Sequence, residues 1–152
     1  MKTIPYYVAR VALICFCAIA SFMLSCGKGS SYGSSTTSPI VSYAGTFAKS
    51  SPGYISNATG TVKATFNTTT LQLSYQLTWD SLSTTPIAMH FHDDGPVIVP
   101  INGYPVAQSG TVQGVATLTS QQSQDLAAGL IYAMIHTSTY TSGEIQAYLK
   151  KQ

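Results

Sequence analysis

Leu71-Gln72-Leu73-Ser74-Tyr75-Gln76-Leu77-Thr78-Trp79 alternates large apolar and polar side chains without a break. Successive side chains of an extended chain point to opposite faces. The apolar set therefore lines one face and the polar set the other, the pattern of a strand with one side on a core and one side in water. Val62, Ala64 and Phe66 repeat the alternation just upstream, and Asn67-Thr68-Thr69-Thr70 between the two runs is turn-forming. The pair reads as an antiparallel hairpin.

Working outward, Tyr43 to Phe47, Ile87 to His92, Thr111 to Leu118, Leu130 to Thr137 and Glu144 to Leu149 give further short strands, separated by glycine, proline or serine. Many short strands at such spacing predict an all-β, antiparallel β-sandwich. One interruption is helical in pattern. Thr119 or Ser120 can cap a helix starting at Gln121, Asp125 and Leu126 lie within it, and Gly129 is placed to end it. One or two turns are expected there, crossing the end of the sandwich. Asn57-Ala58-Thr59 and Asn67-Thr68-Thr69 match the glycosylation sequon but are read as turn chemistry.

The first residues are an address rather than a fold. Lys2 and Arg10 precede an apolar run from Val11 to Leu24, and Ser25-Cys26 then gives way to glycine and serine. This is the plan of a secretory signal, too short to cross a bilayer as a helix. Phe22-Met23-Leu24-Ser25-Cys26-Gly27 resembles a bacterial lipobox, with Met23 a departure from its commonest form. The expected organisation is a lipoprotein signal peptide over 1–25, a lipidated Cys26 opening a flexible glycine- and serine-rich tether over 26–39, and one folded domain over 40–152. Cys15 and Cys17 leave with the signal, so Cys26 alone remains and no internal disulfide can form. Several acyl chains on one cysteine hold a protein stably to a membrane, which makes membrane lipid the first expected partner.

Composition excludes other classes. Charged residues make up 8% of the chain and its formal net charge is +2, against roughly 25% charged residues in ordinary soluble domains. Once the signal is removed, five lysines face five acidic residues, so neither a coiled coil nor a nucleic-acid partner is expected. The place implied is the cell envelope, outside the cytoplasm, on the periplasmic side or the cell surface.

The three histidines carry the most chemistry. His90 and His92 flank Phe91 near the end of a predicted strand, where alternate side chains share a face about 6.6 to 6.8 Å apart. Two imidazoles so placed can converge on one ion, and His136, near the end of another strand, can supply a third. Asp93 and Asp94 follow the pair directly. Glu144 is a candidate to complete the coordination or to orient an imidazole from behind. Three imidazoles and a carboxylate suit zinc or copper rather than calcium or magnesium. The same spacing is also met by histidines that hydrogen-bond to backbone groups around Gly95 and Asn102, with no ion.

Thr59-Gly60-Thr61-Val62, Ala88-Met89-His90-Phe91-His92, Leu126 to Gly129, Leu130 to Thr137 and Gly143-Glu144-Ile145-Gln146 together resemble the CHRD (chordin-type) domain over most of residues 42 to 149. That resemblance implies an immunoglobulin-like or Greek-key sandwich, found in extracellular proteins and alone in exported bacterial ones. Its recurrent motifs fall here on His90 and His92, His136 and Thr137, and Gly143 to Ile145. Gln146 and Ala147 depart from the arginine and glycine common after the last motif. The resemblance implies no reaction, since a fold does not fix a function.

Three classes of function remain. The first is an envelope binding module with a histidine-held ion and, beside it, the loop from Gly95 to Tyr104 facing an extracellular protein partner. The second is a metal-free structural or adhesive protein. The third, ranked lowest, is a metal enzyme of the superoxide dismutase or hydratase type. No nucleophile with an adjacent base, phosphate loop or cofactor motif marks an active site.

Overall fold

The computed structural model describes residues 38–152; the signal peptide, Cys26 and the tether up to residue 37 lie outside the described residues. Residues 40–151 form two antiparallel sheets of five strands each. In chain order the strands are β1 (Ile40–Thr46), β2 (Ala48–Lys49), β3 (Thr59–Asn67), β4 (Gln72–Asp80), β5 (Pro86–Asp93), β6 (Val97–Pro100), β7 (Gly110–Thr117), β8 (Ile131–Thr137), β9 (Ile145–Tyr148) and β10 (Lys150–Lys151). A helix, α1 (Ser120–Ala128), joins β7 to β8. One sheet runs β10-β1-β3-β4-β7 and the other β2-β9-β8-β5-β6. Among the described residues no helix is long and apolar enough to cross a membrane.

The hairpin read from the sequence is the centre of the first sheet. β3 and β4 pair without a break from Thr59 opposite Asp80 to Asn67 opposite Gln72. Val62, Ala64 and Phe66 face inward with Leu73, Tyr75, Leu77 and Trp79. Asn67 Oδ1 accepts the amides of Thr69 and Thr70 at 2.9 and 3.0 Å, which closes the turn. Leu71, read as the first strand residue, instead takes a left-handed φ of 58° in that turn. A five-residue core row on β4 becomes four because the turn uses Leu71 to reverse the chain.

Two corners join the sheets. β1 ends in the first sheet and β2 begins in the second, with buried Phe47 at the switch. Leu149 does the same between β9 and β10, so the strand expected from Glu144 to Leu149 stops at Tyr148 and a further short strand follows in the other sheet. The inner face of the second sheet supplies Met89, Phe91, Ile131, Ala133, Ile135 and Ile145 to the core. β6 lies in a stretch read from sequence as loop. The helix is capped as expected: Thr119 accepts the amide of Gln122 at 3.2 Å, the Gln122 side chain returns the bond, and Gly129 ends the helix at φ 75°. Its nine residues exceed the two turns expected.

Gly60 shows how tightly β3 and β4 meet. A Cβ there would stand 2.2 Å from the Thr78 carbonyl oxygen, a backbone atom with no room to move alone. We expect Gly60→Ala to cost about 1–3 kcal/mol through forced separation of the strands, read as a lower urea midpoint.

Candidate metal centre

β5 and β8 run antiparallel, with His90 opposite Met134, His92 opposite Tyr132 and Ala88 opposite His136. All these residues point to the outer face of the second sheet, because Phe91, Ala133 and Ile135, one step away in sequence, are buried in the core. Ile87 shares its parity with Met89 and Phe91, which in an unbroken strand would put it on their face. It is 53% exposed, because the register shifts between Pro86 and Ala88 and turns this one residue outward.

The three imidazoles gather. One ligand atom from each of His90, His92 and His136 lies within 4.8 Å of the others. His90 Nδ1 is 3.4 Å from His136 Nε2. Ring centroids are 5.1 Å apart for His90 and His136, 5.8 Å for His90 and His92, and 6.0 Å for His92 and His136. Two segments far apart in sequence thus bring three imidazole nitrogens to one place.

Backbone carbonyls set the tautomers of two rings. His92 Nδ1 donates to the Gly95 carbonyl at 2.8 Å, and His136 Nδ1 donates to the Thr141 carbonyl at 3.0 Å. A carbonyl can only accept, so Nδ1 carries the proton and Nε2 keeps its lone pair. The loops are shaped to present those carbonyls. After His92, Asp94 and Gly95 both take positive φ, 45° and 123°, and Asp93 bonds back to Pro96. After His136, Thr137 and Tyr140 exchange backbone bonds, and Gly143 bonds to Tyr140. The reading in which histidines bond to backbone near Gly95 is therefore realised through one nitrogen, and the converging reading through the other. No hydrogen bond joins a histidine to Asn102 among the described residues.

His92 is the ring with an unmet need. It is 7% exposed, its plane lies 6° from that of Tyr132 at 5.0 Å between centroids, and its Nε2 is buried with no hydrogen-bond partner. Orphaned buried polar atoms are rare because each costs free energy. Burial, followed by the neighbouring rings of His136 and His92, holds His90 below the ordinary histidine pKa. The shift favours the neutral ring, which keeps one nitrogen lone pair to offer a cation.

The carboxylates do not join the trio. Glu144 was expected as a fourth ligand or as an orienting group, and it is neither. It is fully buried, and its oxygens accept the hydroxyl of Ser56 at 2.5 Å, the hydroxyl and amide of Ser83 at 2.7 and 3.0 Å, and the hydroxyl of Thr137 at 2.8 Å. With its acceptor sites filled by these donors, it ties the loops that hold Ser56 and Ser83 to the end of β8 instead. Burial pushes its pKa up, but the hydroxyls of Ser56, Ser83 and Thr137 together with the Ser83 amide outweigh this and hold it down. Asp93 is engaged by Asp125 of α1, and burial followed by that contact and the charges of Asp125 and Asp94 raises its pKa. Among the described residues the candidate ligand group is His90, His92 and His136 alone.

Sequence reasoning missed Tyr132 and the Thr141 carbonyl, whereas backbone groups around Gly95 were already among the partners it offered the histidines. Tyr132 shares the strand parity of His136, which could have marked it for the histidine face. Nothing local pointed to the Thr141 carbonyl.

Comparison with known proteins gives one match: the family model for the CHRD domain fits residues 41–149. No curated protein and no solved structure matches.

Proposed function

Starting from the fact that the chain belongs to the CHRD domain family, we propose that it is a membrane-anchored, extracytoplasmic binding module that holds one zinc or copper ion between His90, His92 and His136. The observation that carries this reading is a buried, partnerless Nε2 on His92, a ring that has a nitrogen within 4.8 Å of one from each of His90 and His136. An ion satisfies that nitrogen, and the carbonyl bonds behind His92 and His136 are the support that imidazole ligands commonly have. Imidazole donors favour zinc and copper over hard cations. Lipid on Cys26 supplies the membrane attachment, and the tether lets the domain stand off the bilayer. The segment from Gly95 to Tyr104, which carries β6 and runs beside the site, is the face offered to an extracellular partner.

Metal analysis of untagged protein refolded with zinc or copper tests the reading. Wild type should hold one ion per chain, and His90→Ala or His136→Ala should hold none. The ion should also leave as pH falls below about 6.5, because a protonated imidazole cannot ligate. Wild type that binds neither metal, or an ion retained at pH 4, overturns the reading and leaves a metal-free envelope protein.

A further inference from the structure

The three imidazoles reach a common ion from one side only. His90 and His92 stand on β5 and His136 on β8, all on the outer face of one sheet. Ligands that share a sheet face leave the direction away from the sheet to whatever lies above it. The chain supplies no donor there. Among the described residues the ligand group holds no cysteine and no carboxylate. Glu144 is occupied by Ser56, Ser83 and Thr137, and Asp93 is engaged by Asp125. The carbonyls of Gly95 and Thr141 accept from Nδ1 of His92 and His136, on the side of each ring away from Nε2. Met134 lies between Tyr132 and His136 in β8, but its sulfur is turned against Gly143, so close that a Cβ there would collide with it.

Zinc sites closed by four protein ligands are structural, whereas those with three keep a position for water or a ligand from outside. Access is present here, since His90 and His136 are half-buried and Val97, opposite His92 on β6, is exposed. The residues in register with the three histidines are Val97, Pro100, Tyr132, Met134 and Ala88, none of them charged at neutral pH. Three neutral imidazoles leave a divalent ion its whole charge, and a charge set among apolar groups is costly unless an opposite charge meets it. Resting on the metal reading above, we propose that the outward position of the three-histidine site takes one small exogenous monoanion, bound to the ion through a single donor atom. With no basic side chain in register beside the rings, a large polyanion gains nothing beyond that one bond, which confines the ligand class to small anions.

Cobalt(II) bound in place of zinc tests this, because its visible spectrum follows the number and kind of its ligands. Azide added to the cobalt-loaded full chain in detergent micelles should shift those bands and saturate at one azide per cobalt. Ala88→Glu sets a carboxylate opposite His136 on the same face. It should fill the outward position from within and raise the azide dissociation constant at least about tenfold. Ala88 is only half-buried, and unchanged thermal melting confirms that the variant folds. One cobalt per chain with a spectrum that azide leaves unmoved overturns this inference while the metal reading stands; a chain that takes up no cobalt overturns both. An azide affinity unaltered in cobalt-loaded Ala88→Glu puts the anion away from the outward position and overturns the inference as well.

Discussion

Glu144→Ala should destabilise the domain by about 3–5 kcal/mol, a large part of the roughly 5–15 kcal/mol that holds a domain of this size folded. The reason is what remains behind. Four donors from Ser56, Ser83 and Thr137 point at the carboxylate, and the Ser83 amide cannot rotate to another acceptor. Each buried group left unpaired costs about 1–3 kcal/mol, somewhat relieved where a hydroxyl can turn. Glu144→Gln keeps the shape and one acceptor and should cost less. Urea denaturation separates the two. The pH dependence gives a second readout. Glu144 is held below its ordinary 4.5, so as pH falls the unfolded chain takes up the proton first. Its contribution is fully present above 4.5 and is lost as pH falls through the folded value. Wild type should therefore lose stability more steeply than Glu144→Gln in that range; parallel curves would show that the carboxylate is not carrying the end of the sandwich.

That role for Glu144 was not legible in the sequence, and the reason is physical. Its partners come from positions 56 and 83, in loops, and 137, at the end of β8, and their meeting depends on both sheets being stacked. A carboxylate beside a histidine motif reads as a ligand when only neighbours in sequence are considered. What the sequence did carry was period and punctuation. The alternation through Leu73 to Trp79 located the hairpin, and Thr119 with Gly129 located the helix, because those signals are local. The convergence of His136 on His90 and His92 depends on β8 pairing with β5 in one register, which no single strand specifies. Spacing gave the pair, and topology gave the third ring. The bulge at Ile87 and the sheet switches at Phe47 and Leu149 were unreadable for a similar reason: each answers a neighbouring strand rather than its own sequence.

Phe91→Ala and His92→Phe, one residue apart, should act in opposite ways. Phe91 is fully buried and meets Tyr75 edge-on at 5.0 Å between centroids. Its loss should cost about 3–5 kcal/mol through the transferred area and the cavity left behind. The histidines stand on the other face, so the folded fraction of Phe91→Ala should still bind one ion per chain. His92→Phe removes the partnerless Nε2 and keeps a flat ring against Tyr132, while the Gly95 carbonyl, in an exposed turn, can find water instead. Its metal-free stability should therefore stay within about 1 kcal/mol of wild type or rise, and its ion should be lost. Thermal melting with and without metal measures both at once. Wild type and Phe91→Ala should each shift upward on metal addition, by mass action on the folded state, and His92→Phe should not. If His92→Phe instead melts far below metal-free wild type, the imidazole is there to hold the sheet together, and its buried nitrogen is not waiting for an ion.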